Sequence, residues 1–302
     1  MKELHIIQNR KIFFIFSGAL VAVSIIAALV FGFGWGIDFV GGTLWQMKFA
    51  SDVSAEKVGA FLKDNGFPEA VVMRETQSGS LIARFNSVDE AVHGRLIDSL
   101  SGALGMFEEL RFDSIGPVIG SELRQRAVWA IVLVLVGISL YIAYSFRGVS
   151  YPITSWRYGL VTLLTLLHDV AIPIGLLAVL GKTFHVEVDS NSVVAILVVM
   201  GFSVHDTIVV FDRIRENLKL QSGAKVHFES LVNKSINETL ARSINTSLTL
   251  VLVLVSLYLF GPAALKFFII TLLVGVVAGT YSSIFVASPL LVAWYDWKRR
   301  NK

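Results

Sequence analysis

Six apolar runs divide the 302-residue chain: Ile12 to Phe33, Ala127 to Phe146, Tyr158 to Leu180, Ser192 to Phe211, Ser243 to Phe260 and Leu265 to Tyr295. About 20 apolar residues rising ~1.5 Å each cross a hydrocarbon core of about 30 Å, so each run predicts a membrane-spanning helix. An even number of spans puts both termini on one face. Arg10 and Lys11 precede the first run as the positive region of a signal peptide would. That run is too long for a signal core and lacks a good small-residue cleavage site, so it reads as an uncleaved signal anchor.

Between the first and second runs the pattern changes. Leu44 to Ala50 reads as a strand, and Ser54 to Asn65 as a helix capped by Ser54, with Val58, Phe61 and Leu62 at helical spacing until Gly66 and Pro68 stop it. Ala70 to Glu75 and Ser80 to Asn86 are β-branched and apolar, joined through Gln77, Ser78 and Gly79 as a hairpin would be. A second helix starts at Ser87, with Glu90 completing a capping box and Val92, Leu96, Ile97 and Leu100 on one face. Phe107 to Ile115 closes the order strand, helix, strand, strand, helix, strand, which is the split βαβ, ferredoxin-like arrangement. The predicted fold is therefore a polytopic α-helical membrane protein of six transmembrane helices with one α+β domain between helices 1 and 2. Its expected divisions are 1–35, tail and first span; 36–123, the extracytoplasmic domain; and 124–302, the other five spans, with a cytoplasmic amphipathic segment at 213–242.

Within that segment, Lys225 to Leu240 places Phe228, Leu231, Val232, Ile236 and Leu240 on one face. It predicts an amphipathic helix lying either on lipid or on its own membrane domain. In the last span Gly275 and Gly279, with Ser282 and Ser283 beyond, form a small-residue face that permits close helix approach.

Composition agrees with the pattern: 54% of residues are hydrophobic. Cysteine is absent, which excludes disulfides, thiolate metal sites and a cysteine nucleophile, and the six His residues show no metal-ligand spacing. Residues 36–123 hold 7 Lys and Arg against 13 Asp and Glu, whereas the whole chain carries +3. Lys2, Arg10, Lys11, Arg147, Arg157, Arg213, Arg215, Lys219, Lys225, Lys234, Arg242, Lys298, Arg299, Arg300 and Lys302 all fall on one face, which the positive-inside rule makes cytoplasmic. The acidic domain is then outside.

Candidate chemistry lies inside the spans. His205 and Asp206 interrupt the fourth run, and an ionisable group there costs about 2.5 to 3.5 kcal/mol on insertion scales, so it must face protein or water. Asp206 shares a helical stripe with Phe202, Val210 and Arg213. It is either a proton carrier or one half of a fixed ion pair that specifies packing. Arg242 begins the fifth span, followed by Asn245, Thr246, Thr249 and Ser256 on a polar side, and alone it reads as a positive-inside anchor. His168 and Asp169 repeat the His-Asp pair in the third span, as part of a hydrated pathway or as a packing hydrogen bond. No activated Ser or Cys accompanies either pair, so a hydrolase is not supported. The glycine-rich stretch Gly32 to Thr43 leads into a strand rather than a helix N-terminus and lacks the Lys-Ser/Thr of a phosphate loop. Its Gly41 and Gly42 let the chain turn tightly, with Asp38 tying the junction. Neither a nucleotide, another cofactor nor a metal is implied, and nucleic acid is not an expected partner.

Five strings in order carry a resemblance over nearly the whole chain: GIDFVGGT at Gly36 to Thr43, GPVIGSELR at Gly116 to Arg124, LLHDV at Leu166 to Val170, VHDTIVVFDRIREN at Val204 to Asn217 and SINETLARSINTS at Ser235 to Ser247. The chain resembles the SecD/SecF family of protein-export membrane proteins, within the resistance-nodulation-division superfamily. Many members have Asn where His205 stands. The resemblance implies that Asp206 and Arg242 belong to a proton pathway, and that this six-helix half pairs with a SecD-like membrane protein. It further implies that the pair joins the SecYEG channel in the bacterial inner membrane and uses proton re-entry to assist translocating preproteins. Two other functions fit the residues: a passive assembly subunit whose domain binds substrate or channel, and half of a small-molecule exporter. The single modest outer domain argues against the exporter.

Overall fold

The computed structural model describes residues 4–75, 79–147, 153–221 and 227–300. Lys2, Lys225 and Lys302 of the basic face and Gln77 and Ser78 of the hairpin turn lie outside the described residues. In chain order the elements are α1 (Arg10–Phe31), β1 (Gly34–Trp35), α2 (Ile37–Val40), β2 (Gly42–Phe49), α3 (Ala55–Asp64), β3 (Val71–Arg74), β4 (Leu81–Phe85), α4 (Glu90–Leu104) and β5 (Phe107–Ile115). There follow α5 (Pro117–Ser145), α6 (Ser155–Phe184), β6 (Glu187–Val188), α7 (Ser190–Leu220), α8 (Phe228–Phe260), α9 (Lys266–Ser282) and α10 (Ser288–Arg300). Among the described residues six helical stretches are long and apolar enough to cross a membrane: α1, α5, α6, α7, α8 and the run from α9 through α10. The protein is thus a six-span α-helical membrane protein with a small α+β domain between its first two spans. It forms two compact units, Trp35–Val128 and the remainder.

In the first unit β2, β3, β4 and β5 form an antiparallel sheet in the order β3-β4-β2-β5. The two strands that begin and end the domain are thus neighbours, the ferredoxin-like topology that the element order predicts. Strand β2 buries every second residue, Thr43, Trp45 and Met47, as one covered sheet face requires. Val58 and Leu62 of α3 and Leu96 and Leu100 of α4 close over Trp45, Met47, Leu81, Ala83 and Phe85. Ser54 caps α3, accepting a hydrogen bond from the Lys57 amide. The start of α4 differs from expectation. Its cap is Asp89, which accepts from the Val92 amide, rather than Ser87, because the carboxylate is the side chain that reaches a free amide of the first turn. The same helix buries His93, whose Nε2 lies 2.7 Å from Glu109 Oε2. Trp45 Nε1 donates to that same oxygen at 2.6 Å.

The glycine-rich junction now has a steric cause. Gly41 and Gly42 have φ of 80° and 122°, where a side chain is strained. A Cβ on Gly41 would stand 2.7 Å from Pro117 Cα, and one on Gly120 would stand 2.8 Å from the Gly41 nitrogen. Two of the sequence strings, GIDFVGGT and GPVIGSELR, therefore meet backbone to backbone. Asp38 lies in the first turn of α2 beside them.

In the second unit α6, α7 and α9 pack on one another, α1 lies along α6, and α8 lies on α7 and α9. Close approach depends on small residues. A Cβ on Gly275 would stand 2.2 Å from Val199 Cγ2, one on Gly279 2.8 Å from Ser203 Cβ, and one on Gly175 2.5 Å from Ser24 Cα. The face predicted from Gly275 and Gly279 is the α9 surface against α7. Helix α7 opens with a reciprocal cap in which Asp189 Oδ1 accepts from the Ser192 amide and Ser192 Oγ accepts from the Asp189 amide.

Two expectations about the later spans are corrected. The amphipathic stretch is not a separate helix, because α8 runs unbroken from Phe228 to Phe260. Its apolar face is covered by the chain itself: Phe228, Leu231, Val232 and Ile236 are buried, the Phe228 ring packs on Tyr295, and the Asn233 side chain accepts from the Ile6 amide and donates to the Leu4 carbonyl. The last span is not one α-helix either, since a π-helical turn, Ser283–Ala287, separates α9 from α10. Pro289 supplies the cause, having no N–H for the Phe285 carbonyl four residues earlier.

Alanine at Gly41 or Gly120 should destabilise the protein by about 1 to 3 kcal/mol or more, because the added methyl meets backbone that cannot rotate away. Alanine at Gly94, with open space around it in α4, should stabilise by ~0.5 to 1 kcal/mol. Thermal unfolding of the detergent-purified chain checks the pair, and equal shifts for Gly41→Ala and Gly94→Ala would refute the steric account.

Candidate functional site

Asp169 and Asp206 are both enclosed in the helical bundle, 0% and 1% exposed. They are held differently. Asp169, on α6, receives donors from three helices: His168 Nδ1 lies 2.8 Å from Oδ1, Ser282 Oγ of α9 donates to Oδ2 at 2.8 Å, and Ser203 Oγ of α7 donates to that same oxygen. Pro173 lies four residues on, so the Asp169 carbonyl also lacks its helical N–H partner. His168 Nε2 is buried without a partner among the described residues, and its ring stacks on Tyr281 at 6.4 Å.

Asp206 lies one turn after Ser203 on α7. It accepts a single side-chain hydrogen bond among the described residues, from Ser247 Oγ of α8 to Oδ2 at 3.1 Å. Ser247 Oγ in turn receives the Thr280 hydroxyl of α9 at 2.6 Å. No cation touches this carboxylate in the described residues. Arg242 is not among the side chains that touch Asp206 in the described residues: it is exposed on α8, and Thr246, one turn on, donates to the Arg242 carbonyl at 2.9 Å. The physical reason is helical phase. Ser243 and Ser247 occupy the buried stripe of α8, whereas Arg242, Asn245 and Thr249 share the opposite, exposed side. His205 is also exposed, about 100° around α7 from its neighbour Asp206.

Arg213, placed by sequence on the Asp206 stripe, works elsewhere. Its Nε donates to Glu238 Oε2 at 2.7 Å and its Nη1 to Glu216 at 2.6 Å. Asn217 Nδ2 donates to Ser235 Oγ and to Glu238 Oε2, each at 2.9 Å. The strings that contain these residues therefore lock the ends of α7 and α8 together. Sequence reasoning missed Ser203, Ser247, Thr280 and Ser282 as partners of the carboxylates. Their signal was present as hydroxyl residues inside apolar runs, at positions whose phase only the packed bundle settles.

Six spans, a ferredoxin-like domain after the first, and two carboxylates buried at helix contacts define a polytopic membrane protein built around intramembrane polar groups. The chain belongs to the SecD/SecF family of protein-export membrane proteins. The family model described as protein export membrane protein SecD/SecF, C-terminal, matches residues 96–297, and the SecD/SecF GG motif matches residues 26–53. A protein translocase subunit SecF from Thermobaculum terrenum is 44% identical, the match covering 96% of this chain and 94% of that one. A protein translocase subunit SecDF from Thermus thermophilus is 36% identical over 96% of this chain but only 38% of its own length. The crystal structure of the translocon-associated membrane protein SecDF from that organism superposes with a TM-score of 0.81 at 33% identity, covering 97% of this chain and 39% of that one. The chain thus spans about two fifths of the fused protein.

The three-helix attachment of Asp169 should make it a stability residue. Asp169→Ala leaves His168, Ser203 and Ser282 facing a cavity and should cost ~3 to 5 kcal/mol, seen as a lower melting temperature and lower yield of folded chain. Unchanged melting would contradict this role.

Proposed function

We propose that this chain is a SecF-like subunit that, with a SecD-like partner and the SecYEG channel, uses the proton gradient to assist preprotein translocation across the bacterial inner membrane. The observation that carries the reading is the holding of Asp206. It is buried within a span yet accepts one side-chain hydroxyl and touches no cation among the described residues, whereas Asp169 is bound by three side chains. A carboxylate so sparsely held passes between charged and neutral forms at lower structural cost than one tied into a network.

The partner is supported by a second feature. Arg242, Asn245, Thr249 and His205 are exposed from α7 and α8 within or beside spans, where hydrocarbon is a poor neighbour for polar groups. An opposing helical half would cover them, for which the greater length of the fused SecDF relative leaves room, and would bring Arg242 into the pathway from outside this bundle. The proton passing through that interface changes the charge of Asp206 and shifts helix packing. His205 and Thr246 lie beside this route on α7 and α8, His168 and Asp169 serve either the route or helix packing, and Asp38, Gly41 and Gly42 form the structural junction at the start of the α+β domain.

In the assembled complex, Asp206→Asn should accumulate normally and retain its partner while losing proton-gradient-dependent translocation into membrane vesicles. Full translocation by that variant would return the chain to a passive assembly role. The basic-residue bias supports both termini on the cytoplasmic side with the α+β domain outside. An impermeant thiol reagent should then label Ser99→Cys in intact spheroplasts, and labelling restricted to inverted vesicles would reverse the orientation.

A further inference from the structure

We infer that Ser247 and Thr280 are positioning residues for Asp206, forming a hydroxyl switch that reverses direction when Asp206 takes up a proton. The inference rests on the proposed protonation of Asp206 and adds the residues that read it.

Each hydroxyl carries one proton, yet each has two partners in reach. Ser247 Oγ lies 3.1 Å from Asp206 Oδ2 and 2.8 Å from the Ser243 carbonyl of its own helix. Thr280 Oγ1 lies 2.6 Å from Ser247 Oγ and 2.8 Å from the Val276 carbonyl. While Asp206 is a carboxylate it can only accept, so the Ser247 hydroxyl points to it and the Thr280 hydroxyl points to Ser247. When a hydronium ion gives Asp206 a proton and leaves as water, the new O–H must donate. Ser247 Oγ is the acceptor beside it. The Ser247 proton then turns to the Ser243 carbonyl, and Thr280 has the Val276 carbonyl as its alternative. One O–H bond breaks in the hydronium ion and one forms on Asp206, and after the hydrogen bonds rearrange every hydroxyl keeps an acceptor.

The consequence falls on helix shape. A serine hydroxyl bonded to the carbonyl four residues back bends its helix slightly. The switch therefore applies that bend to α8 in the protonated state and withdraws it in the charged state. Arg242 stands immediately before Ser243 on the same helix, so the change reaches the exposed polar side of α8 within one turn. The other charged or titratable groups around Asp206 make no hydrogen bond to it among the described residues: His168 and Asp169 of α6 pair with each other, Tyr281 of α9 receives the Ser17 hydroxyl, Arg242 is exposed, and His205, exposed beside it on α7, acts on it electrostatically.

Infrared difference spectroscopy of the assembled complex in vesicles, between alkaline and acidic pH, tests this. A protonated-carboxyl C=O band that disappears in Asp206→Asn identifies the group. In Ser247→Ala the band should shift in frequency, and in Ser247→Thr, which keeps the hydroxyl, it should return towards its original position. Proton-gradient-dependent translocation should fall roughly tenfold in Ser247→Ala, the order expected for removing a hydrogen bond to a charged group. It should stay within about twofold in Ser247→Thr. Thr280→Val preserves shape while deleting the second hydroxyl, so it remains informative if Ser247→Ala folds poorly; packing alone predicts that it is silent, and the switch predicts a shifted band. An Asp206 band unmoved by both Ser247→Ala and Thr280→Val overturns the switch while leaving the protonation of Asp206 intact. The absence of any Asp206 band in the unmodified complex overturns the protonation itself.

Discussion

A carboxylate inside a hydrocarbon layer must be surrounded by donors or must spend time neutral, because water cannot reach it to share the charge. This bundle holds its two carboxylates differently, at Ser203 and Asp206, one turn apart on α7. Asp169 is met by an imidazole and two serines from three helices. Asp206 is met by one serine, itself supported by one threonine. The arrangement of α6, α7, α8 and α9 is what brings those hydroxyls to the two carboxylates.

That arrangement depends on glycine. Helices with ordinary side chains at the contact stand 8 to 10 Å apart, too far for short serine and threonine hydroxyls on one helix to reach a carboxylate on the next at every crossing. Gly275 and Gly279 bring α9 against Val199 and Ser203 of α7, and Gly175 brings α6 against Ser24 of α1. Ser203 is both a packing neighbour of Gly279 and a ligand of Asp169, so helix approach and carboxylate solvation are one feature. Farther along α7 and α8, Arg213, Glu238, Asn217 and Ser235 hold the helix ends together. Beyond that lock, Ser247 is the α8 side chain that reaches the Asp206 carboxylate among the described residues, and farther along Leu254 packs against Val199 and Val276.

Much of this was legible from residue order. Period-two and period-3.6 patterns yield the ferredoxin-like domain, and long apolar runs yield the six spans. The strain at Gly41 follows from a glycine pair at a turn. What the pattern could not resolve was phase and continuity. Apolar and polar residues of 225–240 look like a surface helix, but Phe228 packs on Tyr295 and Asn233 hydrogen-bonds the chain's own N-terminal segment, contacts more than fifty residues distant. Arg242 and Ser247 lie on the same helix five residues apart, and a rotation of 500° separates inward from outward. Asp206 was recognisable because charge in an apolar run is costly. Its serine and threonine partners were not, because a hydroxyl in a span can satisfy itself on its own helix.

The central claim is that Asp206 is the proton-exchanging group of an incomplete pathway which an opposing half completes. Vesicles loaded with a pH-sensitive dye and reconstituted with this chain, alone or with its SecD-like partner, test it under an imposed proton gradient. The account predicts inward proton flux only when both proteins are present, abolished by Asp206→Asn. Flux through the isolated chain, or flux through the pair undiminished by Asp206→Asn, would contradict it.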